Sequence, residues 1–125
     1  MDIDELNERG LKLRVDMFGR EAVDKRMNAF GAFGKPLQHI INAYAYGDVW
    51  QRPSLSHAVK SLVMVAMMGA AGHNNELRVH LKGALKNGCT AEQIREILLL
   101  VALYCGIPAA NEAHKAAVEV INEKR

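Results

Sequence analysis

A carboxylate and an imidazole stand one helical turn apart in Glu76-Leu77-Arg78-Val79-His80. Wound at about 100° per residue, the segment from Glu76 to Asn87 sorts into two faces. Arg78, Lys82 and Lys86 fall on one stripe, which must face water. His80, Ala84 and Leu77 fall opposite, with Glu76 and Gly83 at the margin and Leu81 and Leu85 completing the apolar flank. Glu76 and His80 therefore point toward the interior, one turn apart. Buried acids and imidazoles are costly unless paired or used, and enzymes tune such groups for proton transfer near neutral pH. Gly83 and Ala84 beside them leave room for a pocket. An ordinary intrahelical Glu–His pair at a helix interface fits the same pattern.

Other residues extend the list. His73 completes His73-x-x-Glu76-x-x-x-His80, a set of metal-ligand types whose spacing allows one face. His73 follows a helix break at Gly72, however, which leaves its direction open. Trp50-x-Arg52-Pro53 places the only tryptophan beside an arginine in a loop. An arginine so placed can grip a carboxylate with two parallel hydrogen bonds, or simply point to water while the tryptophan caps the core. Tyr104, Pro108 and Asn111 gather around a helix junction. There Asn111 can donate to a carbonyl oxygen or cap the last helix. Lys60 can snorkel from an apolar helix. Cys89 and Cys105 read as inert structural thiols, and His39, His57 and His114 as helix-surface residues. No phosphate-cradling glycine loop, nucleophile elbow or basic-aromatic interleaving is present.

The elements that must position these groups are helical. Sustained alternation is absent, and three prolines punctuate the chain. Ile3, Leu6, Leu11, Leu13 and Val15 mark a first helix ending before Gly19. Asp24 to Gly34 carries Met27, Phe30 and Phe33 at helical spacing. Pro36 suits the first turn of a helix through Tyr46, with Leu37, Ile40, Ile41 and Tyr44 on one face. Asp48 to Ser54 is a loop. Ser56 caps a helix over about His57 to Ala71, and Gly88 stops the helix that bears Glu76 and His80. Thr90-Ala91-Glu92-Gln93 is a capping box opening the next helix. Gly106 and Pro108 precede a last helix, about Ala109 to Glu123.

Composition sets the frame. At 125 residues, 50% apolar and 24% charged, the chain fits one folded domain spanning residues 1–125. Sixteen basic against 14 acidic residues give a net charge of +2, too balanced to imply nucleic acid or a membrane surface as partner. The acidic start, Asp2, Asp4 and Glu5, is unlike a targeting peptide, and two distant cysteines fit a reduced, cytoplasmic setting. Two stretches, Leu62 to Met68 and Ile97 to Leu103, are apolar on every side. A chain this small has little else to cover both, so a homo-oligomer is expected.

These segments resemble the carboxymuconolactone decarboxylase family, and most closely its γ-carboxymuconolactone decarboxylase branch. The resemblance is carried by Tyr46-Gly47-Asp48-Val49-Trp50-x-Arg52-Pro53-x-Leu55-Ser56, by Lys60-Ser61-Leu62-Val63, and by the run from Glu76 to Gly88. Glu92 to Leu99 and Tyr104-Cys105-Gly106-Ile107-Pro108-Ala109-Ala110-Asn111 continue it, over roughly residues 30 to 120. It implies an all-α, alkylhydroperoxidase D-like bundle of about six to seven helices, assembled as a trimer or hexamer. It also implies a cofactor-free enzyme of aromatic catabolism, in the β-ketoadipate pathway, that converts 4-carboxymuconolactone to the enol-lactone of 3-oxoadipate. The peroxidase relatives carry Cys-x-x-Cys-x-x-x-His where this chain has His73-x-x-Glu76-x-x-x-His80. With both thiols missing, dithiol peroxidase chemistry is excluded there.

Under the resemblance, His80 donates a proton or stabilises an enolate oxygen, and Glu76 orients or tunes it. Arg52 binds a substrate carboxylate, while Trp50, Tyr104, Asn111 and Lys60 contribute to substrate binding. No cofactor is expected, because the electrons left by departing CO₂ flow into the lactone itself. The branch usually shows several arginines where this chain reads His57-Ala58-Val59-Lys60, and often a glutamine where it has Leu100. Fewer cations at a site for a dicarboxylate widen the expectation to a paralogue acting on a related lactone or carboxylate. A non-catalytic or metal-binding helical oligomer using His73, Glu76 and His80 is the remaining alternative.

Overall fold

The computed structural model describes residues 1–123. Seven α-helices and no strand occur among them: α1 (Ile3–Phe18), α2 (Arg20–Asn28), α3 (Lys35–Ile40), α4 (His57–Ala71), α5 (Asn74–Lys86), α6 (Ala91–Cys105) and α7 (Ile107–Ile121). They divide into two compact units, residues 1–55 and 56–125.

In the first unit α1 lies against a π-helical segment, Ile41–Tyr46, that continues α3 without a break. The approach is very close. A Cβ on Gly10 would run into the Asn42 carbonyl, and one on Gly47 into the Leu6 carbonyl. Between the two elements lies a buried cation. Arg14 Nη1 donates to Gln38 Oε1 at 2.9 Å and to Asn42 Oδ1 at 3.0 Å, and its guanidinium stands 5.8 Å from the Tyr46 ring centre. A buried guanidinium needs oxygen acceptors. That need explains a departure from the sequence pattern. Gln38, Asn42, Ala43 and Tyr46 face inward, whereas Leu37, Ile40 and Tyr44 are exposed.

A second departure lies just upstream. The segment expected from Asp24 to Gly34 is instead α2, which starts at Arg20 and ends at Asn28, followed by a 3₁₀ turn at Gly31–Gly34. Gly31 has φ +56°, a left-handed conformation that breaks the helix. Phe30 and Phe33 then lie outside, Phe33 at 95% exposure.

The second unit is a four-helix cluster. α4 packs on α5, α6 and α7, and α7 also packs on α5 and α6. Ser56 caps α4 through Val59 N–H, and Thr90 and Gln93 close their reciprocal box at the start of α6. The core is built from Val65, Leu77, Leu81, Ile94, Leu98 and Val101, with α7 supplying alanines at 110, 113, 116 and 117. The small α7 face meets Gly69 of α4, where an added Cβ would lie 3.5 Å from the Ala113 Cβ. Dispersion and area burial along these faces, about 25 cal/mol per Å² of apolar surface, hold the cluster together. Among the described residues no helix is long and apolar enough to cross a membrane.

Candidate active site

α5 presents the groups as its periodicity predicts. His80 is buried with 5% of its surface exposed, on the same side as Leu77, Leu81, Gly83 and Ala84. Its Nδ1 is sealed from solvent. Glu76, one turn earlier, is half-buried. The opposite stripe does more than face water. Arg78 Nη2 meets Glu119 Oε2 at 2.9 Å and Lys82 Nζ meets Glu123 Oε1 at 3.4 Å, tying α5 to the C-terminal end of the chain. Ser61 accepts a 3.0 Å bond from Asn87 Nδ2, which fixes the end of α5 against α4. Gly72, at φ +74°, ends α4 with the His73 amide donating to the Met68 carbonyl at 3.0 Å, and thereby sets where α5 begins.

His73 does not join Glu76 and His80. It is the exposed N-cap residue of α5, outside the helix whose face the other two share. Among the described residues no three His, Cys, Asp or Glu side chains are placed to hold one metal ion. The physical reason is the helix break, which turns the chain at Gly72 before the register of α5 starts.

The remaining candidates are spread along the second unit. Lys60 is half-buried in the first turn of α4. Tyr104 is 84% exposed at the end of α6, where it lines an apolar groove with Ala66, Met67, Leu100, Val101 and Cys105. Asn111 is exposed on α7, and it caps nothing, because the N-cap of that helix is Gly106. The two thiols differ. Cys89 is buried and donates from Sγ to the Ala58 carbonyl at 3.3 Å, whereas Cys105 is exposed. Burial pushes the Cys89 thiol up from its usual pKa. Cys89 is thus placed as a structural thiol would be, whereas Cys105 is not buried.

In the first unit, Trp50 is buried on a 3₁₀ turn, Val49–Gln51, and stacks on Tyr46 with ring centres 5.7 Å apart and planes 19° apart. Arg52 is exposed and already grips a carboxylate. Its Nε donates to Asp48 Oδ1 at 3.1 Å and its Nη2 to Asp48 Oδ2 at 3.3 Å. Sequence reading singled out Arg52 and overlooked Asp48. The four-residue spacing of opposite charges was the available signal.

By fold and site this is a small all-α protein with an acid–imidazole helix face and no thiol on that face. The chain belongs to the carboxymuconolactone decarboxylase family, whose model matches residues 35–119. It is 34% identical to the 4-carboxymuconolactone decarboxylase of Acinetobacter baylyi, over 98% of this chain and 92% of that protein. It is 37% identical to the nitrosuccinic acid decarboxylase of Metarhizium robertsii, over 96% of this chain and 87% of that one. A shorter similarity, 40% identity over 57% of this chain and 35% of the relative, links it to peroxisomal protein 2 of Schizosaccharomyces pombe. The two relatives matched over nearly their full length are both decarboxylases.

Proposed function

We propose that the protein is a cofactor-free decarboxylase of a small carboxylate that carries its own electron sink. The observation that carries this reading is the buried His80 one turn from the half-buried Glu76. The names of the two near-full-length relatives support it, because their substrates share one chemical feature. A carboxymuconolactone can delocalise the electrons of its departing carboxylate into a lactone carbonyl. Nitrosuccinate can pass them to a nitro group. In either case the C–C bond to the carboxylate breaks, CO₂ leaves, and the electron pair moves onto an acceptor oxygen of the substrate. One proton then returns to carbon. The protein must hold the carboxylate, stabilise the developing oxyanion and deliver that proton.

In this reading His80 supplies the proton or the oxyanion donor, and Glu76 orients and tunes it. Arg52 takes a substrate carboxylate, and Trp50, Lys60, Tyr104 and Asn111 contribute to substrate binding. The first turn of α4 offers His57, Ala58 and Val59 ahead of Lys60, so cationic charge there is sparse. That favours a substrate with fewer anionic groups to neutralise, and a paralogue of different substrate choice is the second reading. Carbon dioxide release should be measured with 4-carboxymuconolactone, nitrosuccinate and related carboxylactones. Turnover of at least one, lowered by about 10² or more in His80→Gln, is the expected result. No turnover of any member overturns the reading.

Self-association belongs to the same proposal. Val63 and Met67 of α4 and Leu99, Leu100, Leu103 and Tyr104 of α6 are exposed around an apolar groove of about 470 Å³. A second copy, in a trimer or hexamer of a cytoplasmic enzyme, would remove this surface from water. Light scattering after size exclusion is expected to give a multiple of the chain mass, and the mass of a single chain overturns the assembly.

A further inference from the structure

The Asp48–Arg52 pair engages both oxygens of its carboxylate. The carboxylate and guanidinium meet edge to edge through two separate hydrogen bonds, on the Nε side of the guanidinium. Arg20–Asp24, with the same four-residue spacing, makes a single ion-pair contact at 3.8 Å. The turn between Asp48 and Arg52 is itself anchored. The Gln51 amide donates to the Asp48 carbonyl at 3.0 Å, the Arg52 amide to the Val49 carbonyl at 3.3 Å, and Gln51 Nε2 to the Tyr46 carbonyl at 3.0 Å. Trp50, between the paired residues, is buried against Tyr46.

The pair contributes little to folding. Its side chains are 68% and 43% exposed, and exposed ion pairs are worth little in water. Its effect is on geometry. A guanidinium held along its Nε edge has a fixed plane, and only one direction in which its terminal Nη edge faces. Holding a flexible arginine in advance removes part of the ordering cost that a ligand would otherwise meet. The hydrogen bond and the charge of Asp48 also hold the Arg52 guanidinium above its ordinary pKa.

We propose that Asp48 is a positioning residue, which fixes the plane of the Arg52 guanidinium to receive a substrate carboxylate. This rests on the assignment of Arg52 to carboxylate binding above. The opposite role, an internal carboxylate that competes with substrate for Arg52, predicts a change of opposite sign.

The test is steady-state kinetics of Asp48→Asn, Asp48→Glu, Arg52→Lys and the double variant Asp48→Asn/Arg52→Lys, on the panel substrate that the wild type turns over. Asp48→Asn is expected to raise KM about tenfold with kcat within about twofold, a loss of one decade in affinity. Asp48→Glu should recover part of the loss. Adding Asp48→Asn to Arg52→Lys should cost much less than Asp48→Asn alone, because the two act as one unit. An unchanged or lowered KM in Asp48→Asn overturns the proposal while leaving the decarboxylase reading intact. If the wild type turns over nothing, that reading fails, and succinate binding followed by fluorescence of the single tryptophan, Trp50, decides on the pair alone. Weaker binding by Asp48→Asn then upholds the positioning role. Equal or tighter binding, or no response of the wild type, overturns it.

Discussion

His80 shares the inner face of α5 with Leu77, Leu81 and Ala84, so truncating it to alanine would remove packing together with a titratable group. His80→Gln keeps most of the volume and a hydrogen-bonding end. It is expected to lower kcat by about 10² to 10⁴, the usual span for a lost acid–base group, with a thermal midpoint close to wild type. A glutamine variant with full activity would remove His80 from the chemistry. The thiols give a second test at this scale. Cys89 should react with a disulfide reagent only after unfolding, because it is buried. Burial raises the Cys89 pKa, so the folded state holds the thiol proton more tightly than the unfolded state does. The associated stability is complete below the unfolded thiol pKa, about 8.5. It is lost as the pH rises from there through the folded value. Urea midpoints measured from pH 7 to 10 should fall more steeply for the wild type than for Cys89→Ala.

The helices show what a sequence discloses and what it withholds. The termini were readable wherever a local rule decides them. Ser56 and Thr90 cap α4 and α6 as expected, and Gly19 follows α1. The inner and outer faces of α5 were readable too, because charge and apolar residues separate cleanly along it. The inward face of α3 and the π-helical segment was not. There the deciding fact is a long-range one, a cation on α1 that requires Gln38 and Asn42 as acceptors. No window around residue 40 contains Arg14. The partner of Arg52 is hidden for a different reason: Asp48 is local, but the pair brackets a short 3₁₀ turn, where the i,i+4 rule of helices is not expected to apply. Two glycines test this account. Gly69→Ala places a methyl at ordinary contact distance from Ala113 and should stabilise the fold by about 0.5–1 kcal/mol. Gly10→Ala drives a methyl into the Asn42 carbonyl and should destabilise it severely. Chemical denaturation of both variants is the measurement.

For the whole molecule, the sequence pointed to the all-α fold and to an excess of apolar surface, and the four-helix unit leaves Leu103 78% exposed on α6. Whether copies meet there is a property of several chains at once, beyond any pattern within one. If the groove on α4 and α6 closes by association, the thermal midpoint should rise with protein concentration, because mass action favours the assembled state. Leu103→Glu should lower the mass in solution and flatten that dependence, while far-ultraviolet helicity persists. The alanine face of α7 has a different consequence. With Ala113 and Ala116 fully enclosed, a side chain larger than alanine at either position overpacks the interior. Freedom to vary is therefore unevenly distributed. The enclosed alanine positions of α7 admit almost no new volume, whereas the first turn of α4 and the segment from Val49 to Ser56 contain exposed positions where side chains can be exchanged at little cost in stability. A lineage changing its substrate would find its tolerated mutations at that margin, and a directed-evolution library placed there should retain far more folded members than one placed on α7.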